Sequence, residues 1–306
     1  MQRLWPFLTL VALALGLTVA TPDFLTSINL SSLVRQTAVI NIMALGMTLV
    51  IIAGGIDLAV GSTLALSGFA GCYAMQQGWP IGWGILAGIL TGGACGWVNG
   101  ALTSKLRINP FIVTLGMLGI LRGLVLILSG GMPAQRLPAG FEFLGEGSIM
   151  RIPFVLWLLA GCAVVVHILL EHTRMGRYAY AIGSNPDAAL YSGVPVAFHT
   201  TAVYAVCGLL TGLAGMVEAS RLRSGTPTAG QGYELQAIAA VVIGGGSLRG
   251  GEGNIMGTLI GAFIMGLLAN GSDLLGIKPY VQQVIIGAAI ILAVLVDELR
   301  KRRAVA

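Results

Sequence analysis

Apolar runs close to twenty residues long follow one another along nearly the whole chain, and that is the length a helix needs to cross a hydrocarbon layer of roughly 30 Å. Ten such runs are expected as spans: Leu4–Ala20, Gln36–Ala53, Leu58–Gln77, Pro80–Ser104, Ile108–Leu128, Pro153–Leu170, His199–Ser220, Glu234–Ser247, Asn254–Ser272 and Tyr280–Val296. Only 9% of the 306 residues are charged, against roughly 25% in soluble domains. The fold class that follows is an all-α polytopic membrane protein of about ten transmembrane helices, one domain over residues 1–306. The first run is longer than the roughly 7–15 apolar residues of a secretory signal, so it is read as an uncleaved helix.

Basic residues collect on the cytoplasmic side of membrane proteins. With the N-terminus inside, that side receives Arg3, Lys105, Arg107, Arg174, Arg177, Arg249 and the cluster Arg300, Lys301, Arg302 and Arg303. The outer side receives Arg35, Arg136, Arg151, Arg221, Arg223 and Lys278. Both termini are therefore expected in the cytoplasm, with Arg221 and Arg223 arguing mildly the other way. The net charge of +5 is dispersed over span ends, which suits topology and excludes a nucleic-acid-binding face.

The longest polar interruption is the segment 171–198, EHTRMGRYAYAIGSNPDAALYSGVPVAF. Its second half carries helix signals. Asn185 suits the N-cap, Pro186 the first helical position and Asp187 the positive end of the dipole. Ala188, Ala189, Leu190 and Tyr191 continue for about two turns; Gly193 then permits a left-handed stop and Pro195 blocks extension. A capped helix at the cytoplasmic face suits docking into another protein, and a plain connector is the competing reading. Residues 129–152, rich in Gly and Pro, form the main outer loop, either a docking surface or a connector.

Gly84, Gly88, Gly92, Gly96 and Gly100 recur every four residues and line one helix face, a groove in which another helix can lie. Gly253, Gly257 and Gly261 repeat the device. Two short segments resemble each other, VIIAGG at 50–55 and VVIGGG at 241–246, a match short enough for coincidence.

No enzyme constellation is present, and no catalytic residue is assigned. The four cysteines, Cys72, Cys95, Cys162 and Cys207, lie singly in apolar runs, and no metal is expected. None of the three lysines follows a glycine, so the chain lacks a Walker A phosphate loop. Energy for transport would have to come from another subunit. Asn41, Asn99, Arg122 and Gln236 are polar groups inside spans that lipid would not tolerate freely. They are the candidates for a translocation path, with interhelical hydrogen bonding as the alternative.

Four blocks, Asn41–Gly68, Asn109–Leu124, Thr173–Val196 and Pro227–Ala262, together resemble the permeases of ribose-type ABC sugar importers. The resemblance covers nearly the whole chain from Gln36 onward. It implies a type II importer-like bundle in a bacterial inner membrane, with a periplasmic sugar-binding protein, a cytoplasmic ABC ATPase that uses ATP and Mg, and a second permease protomer. Asp187-Ala188-Ala189 followed by Gly193 is similar to that family's coupling-helix pattern, with Asp in place of the usual Glu. The implied cargo is a monosaccharide or relative such as a pentose, a deoxyhexose or autoinducer-2. A nucleoside or branched-chain amino acid permease and a self-sufficient secondary carrier remain as alternatives, and this chain itself would bind no cofactor.

Overall fold

The computed structural model describes residues 5–305. Arg3 and Leu4 lie outside the described residues, and for Arg300, Lys301, Arg302 and Arg303 only a helical backbone is described. The helices are α1 Trp5–Ala20, α2 Ser27–Ile52, α3 Val60–Gln76, α4 Ile81–Lys105, α5 Pro110–Ser129 and the single turn α6 Phe143–Glu146. A two-strand hairpin, β1 Ser148–Ile149 and β2 Ile152–Pro153, separates these from α7 Phe154–His172, α8 Arg174–Ser184, α9 Pro186–Tyr191, α10 Val196–Leu222, α11 Tyr233–Ile243, α12 Ile255–Leu274 and α13 Pro279–Val305.

All ten expected spans fall on helices. Six of these, α2, α4, α5, α7, α10 and α12, are long and apolar enough to cross a membrane by length and composition. The run expected over Glu234–Ser247 is shorter than a span: α11 ends at Ile243, where Gly244, Gly245 and Gly246 leave the helix. The run at Gln36–Ala53 is longer, because α2 begins at Ser27, nine residues upstream of the apolar window, capped by Thr26, whose Oγ1 accepts from Asn29 N.

α2 is the centre of the molecule. Every residue from Thr37 to Ile52 is buried, as its apolar residues on all sides require. Around it stand α7, α8, α10, α11 and α12. α3, α4 and α10 pack side by side into a second layer, and α5 covers α3. α1 leans on α12 through Leu13 and Leu17, with Phe24 and Leu267 between them.

Glycine sets the spacing of that second layer. All five glycines of the α4 ladder are buried. A Cβ at Gly92 would meet the Gly208 carbonyl oxygen and the Gly212 backbone; at Gly96, the Tyr204 carbonyl oxygen and Gly208; at Gly100, the Thr201 backbone. Gly208 in turn faces the Gly92 carbonyl and Gly212 the Gly88 carbonyl, so the two helices touch main chain to main chain. Gly88 and Gly84 extend the contact to α3, against the Ser67 and Gly71 carbonyls. Without a hydrophobic driving force in lipid, such close van der Waals contact is what holds helices together.

The loop 129–152 folds back on the bundle. Arg35 of α2 clamps Glu146, with Nη1 2.7 Å from the carboxylate and Nη2 2.8 Å from its main-chain carbonyl. Ser220 of α10 accepts from Gly145 N and donates to the Phe141 carbonyl. Ala134 pairs with Gly225 as an antiparallel bridge.

Gly92→Leu forces a side chain into main chain on α10, where overpacking costs about 1–3 kcal/mol or more. A markedly lower unfolding temperature in detergent is expected, whereas Gly161→Leu, whose Cβ meets nothing within 4 Å, leaves it unchanged.

Candidate functional site

One end of the bundle is finished by α8 and α9. Thr173 caps α8, its Oγ1 accepting from Met175 N at 3.2 Å, and α8 buries Gly176, Ala179 and Ile182. This helix precedes the one expected at 185–191, and the three-residue spacing of its buried positions is its sequence signal. A Cβ at Gly183 would strike the Ile52 carbonyl oxygen and Gly251 N. The α8 end is thus seated on the end of α2 and on the loop between α11 and α12. That loop also ties to α2 directly, Gly251 N donating to Ile52 O at 2.9 Å, so the segment 50–55 meets the chain five residues beyond its counterpart at 241–246.

α9 has the expected ends. Asn185 Oδ1 accepts from Ala188 N at 2.9 Å, and Pro186 opens the helix. Gly193 takes φ of +83°, a left-handed turn in which its N–H bonds Leu190 O and Val194 N bonds Ala189 O. Ala189 faces inward, packed with Ile182 and Val194. Pro186, Asp187, Ala188, Leu190 and Tyr191 face out, Leu190 52% and Tyr191 89% exposed. Beside them an apolar groove of about 650 Å³ runs between Trp97 and Lys105 of α4, Leu190, Pro195 and Phe198.

A second feature lies half-way through the bundle. α11 has 11 residues, roughly 16 Å, about half of the hydrocarbon thickness. The chain reaches its start by a non-helical segment, 224–232, that descends along α3: Gly225 lies against Gly68 and Phe69, and Gly230 against Gly61. Gly61 is close to the Glu234 carboxylate. On the same helix Leu64 and Gly68 lie against Gly215 of α10, so Gly61 and Glu234 sit about one turn further in, near the middle of the 27-residue α10. Arg122, well inside α5, holds the broken segment, its Nη1 donating to Pro227 O at 2.6 Å and Ala229 O at 3.0 Å. Glu234 is the carboxylate with which Arg122 interacts electrostatically. Above them Glu218 accepts from Arg221 through both oxygens, at 2.9 and 3.0 Å, and from the Tyr233 hydroxyl at 3.3 Å.

The other path candidates stand apart from this cluster. Asn41 is enclosed within α2's surroundings and donates to Thr37 O. Asn99 is fully buried and donates to Asp57, 3.3 Å from each oxygen. Gln236, one turn along α11 from Gly232, is part-exposed. Glu234 and Asp57 read from the sequence only as acids near span ends. The signal for the break was PTAGQGYE, a proline and two glycines before an apolar run too short to span. Among the described residues no three of His, Cys, Asp and Glu converge as metal ligands.

The family described as branched-chain amino acid transport system / permease component matches residues 29–294. The chain belongs to this family. The matched region contains both α9 and the Arg122–Glu234 cluster. Among similar members, the ribose import permease protein RbsC of Escherichia coli (strain K12) is 44% identical over 284 residues, 90% of this chain and 88% of that one. The L-arabinose ABC transporter permease protein AraH of Azospirillum brasilense is 40% identical, over 97% and 87% of the two chains. The D-allose transport system permease protein AlsC of Escherichia coli (strain K12) is 36% identical, over 96% and 90%. No solved structure matches the chain.

Arg122→Met keeps the length of the side chain and removes its donors, leaving the Pro227 and Ala229 carbonyls unpaired at about 1–3 kcal/mol each. A lowered unfolding temperature in detergent is expected, with Arg122→Lys, a single point donor, falling between.

Proposed function

We propose that this chain is the permease subunit of an ATP-driven ABC importer for a monosaccharide or a related neutral, hydroxylated solute. The observation that carries the cargo class is that relatives named for ribose, L-arabinose and D-allose align over nine tenths or more of the chain at 36–44% identity. They outweigh the amino acid in the family's description, since such a substrate would bring a carboxylate and an ammonium into the membrane.

In this reading the ten apolar helices cross a bacterial inner membrane, with α11 and the segment 224–232 together making one crossing and both termini cytoplasmic. The residues 171–198 form the cytoplasmic coupling element. α9 docks in a cytoplasmic ABC ATPase, where ATP and Mg are used, and presents Leu190 and Tyr191 rather than the inward Ala189. A periplasmic sugar-binding protein delivers solute to the loop 129–152, and a second permease protomer completes the pathway. ATP-driven closure of the ATPases moves α9 and alternates access. Of the polar candidates, Arg122 and Gln236 suit the path wall; Asn41 and Asn99, enclosed by this chain alone, suit internal hydrogen bonding.

Mass-spectrometric identification of proteins that co-purify with the tagged chain in mild detergent tests this. Wild type is expected to bring down a P-loop ATPase, and Leu190→Arg, which puts a charge on the outward face of α9, to lose at least nine tenths of it while the chain stays folded. Uptake competition among D-ribose, L-arabinose and D-allose then identifies the cargo. Recovery of the chain alone, active in ATP-free vesicles, would establish a secondary carrier instead.

A further inference from the structure

We infer that Arg122, Gln231 and Glu234, gathered at the break before α11, form a solute-contacting site in the wall of the translocation path at the bilayer midplane, built for the hydroxyl groups of an uncharged solute. The inference rests on the permease reading and names the residues at which that permease meets its cargo.

Three observations carry it. The first is incomplete burial: Arg122 and Glu234 are only part-buried, and Gln231 is exposed. A guanidinium and a carboxyl group at mid-depth that are not enclosed by their own chain cannot face hydrocarbon, and intramembrane ionisable groups of this kind line aqueous cavities or substrate paths. The second is spare hydrogen-bonding capacity. Among the described residues both bonds of Arg122 run through Nη1, which leaves the N–H donors on Nε and Nη2 directed elsewhere in a guanidinium of five. The third is room. Gly119, one turn before Arg122, is exposed, and a Cβ there would meet nothing within 4 Å; a Cβ at the part-buried Gly232 would likewise meet nothing.

The chemistry of the set fits a sugar better than an ion. A carboxylate accepts from hydroxyls, a guanidinium donates to them and an amide does both, while the opposite charges cancel. Non-helical backbone at membrane depth is tolerated only where it is buried or lines a cavity, and the break at 224–232 places one edge of its backbone on α3 and leaves Gln231 and Gly232 on the open side.

Thiol accessibility tests the site in native membrane vesicles. Only a thiolate reacts with a methanethiosulfonate, and a thiol in hydrocarbon does not ionise. With Cys162 replaced by Ala, the remaining cysteines are buried. Gly119→Cys and Gln231→Cys are expected to react with a cationic, membrane-impermeant methanethiosulfonate at least tenfold faster than Val164→Cys on the exposed apolar face of α7. Equal rates would overturn the proposal, because the face would then meet lipid or another protein surface. The labelling reads water at the site whether or not an ATPase drives transport, so its failure is separable from failure of the importer reading. For the binding role, Glu234→Gln is expected to raise the half-saturating concentration of the best of the three sugars, measured as direct binding to the purified permease with no binding protein present, at least fivefold, and Glu234→Asp less. An unchanged half-saturation, or a loss of uptake rate explained by a lowered unfolding temperature, would reduce Glu234 to a cap for α11.

Discussion

Hydrocarbon offers no hydrogen bonds, so wherever a helix stops inside the bundle its main chain must be paired by the protein itself. Among the described residues the chain stops in this way twice, and Asp57, Asn99, Thr114, Arg122 and Glu234 stand at those two places. Between α2 and α3 the Ile56 carbonyl accepts from the hydroxyls of Thr114 and Tyr204, at 3.1 and 3.3 Å, and Asp57 accepts from Ala59 N at 2.8 Å while Asn99 holds the carboxylate. Before α11, Arg122 takes the Pro227 and Ala229 carbonyls. The two breaks are neighbours, since Gly61 in the first turn of α3 touches Gly230 and Glu234. Two helix starts, each accompanied by a carboxylate, therefore meet in the middle of the molecule. Acidic groups at helix N-termini are favoured by the dipole, which offsets part of the cost of carrying them so deep.

The features written in local residue order were legible from the sequence, and those that depend on partners distant in the chain were not. The caps of α9 are three choices within nine residues, Asn185, Pro186 and Gly193, and each does what its chemistry predicts. Which face of α9 looks outward was not legible, because it depends on Ile182 and Val194 closing over Ala189. The four-residue glycine ladder gave the groove on α4 directly, whereas the partner that fills it, α10 with Gly208 and Gly212, is more than a hundred residues away. Hydropathy found every long helix but counted α11 as an ordinary span, since a window of apolar residues cannot distinguish half a crossing from a whole one. Asn99 illustrates the same limit from the other side. A lone polar residue within an apolar run marks a need for a partner, and only the fold shows that the partner is Asp57.

Those same contacts divide the molecule into a stiff part and a part able to respond. Main chain against main chain along α4 and α10, with α3 held to them through Gly71, Gly84 and Gly88, leaves little freedom for sliding, because close-packed interfaces are bistable rather than continuously deformable. The α8–α9 element touches that slab through α10, and it also sits on the end of α2 and the loop after α11, where Gly183, Ile52 and Gly251 converge on one another's backbones. α11 is only three turns long, and its far end carries Glu234. A push on α9 from the proposed ATPase would thus reach the midplane cluster through one short helix, bounded by the glycine turn at 244–246 and by the broken segment at 224–232. A full-length eighth span packed end to end would transmit the same push to the opposite face instead. In the proposed importer, the half-length helix would let a displacement at the α8–α9 end of the bundle finish at the depth where solute is held.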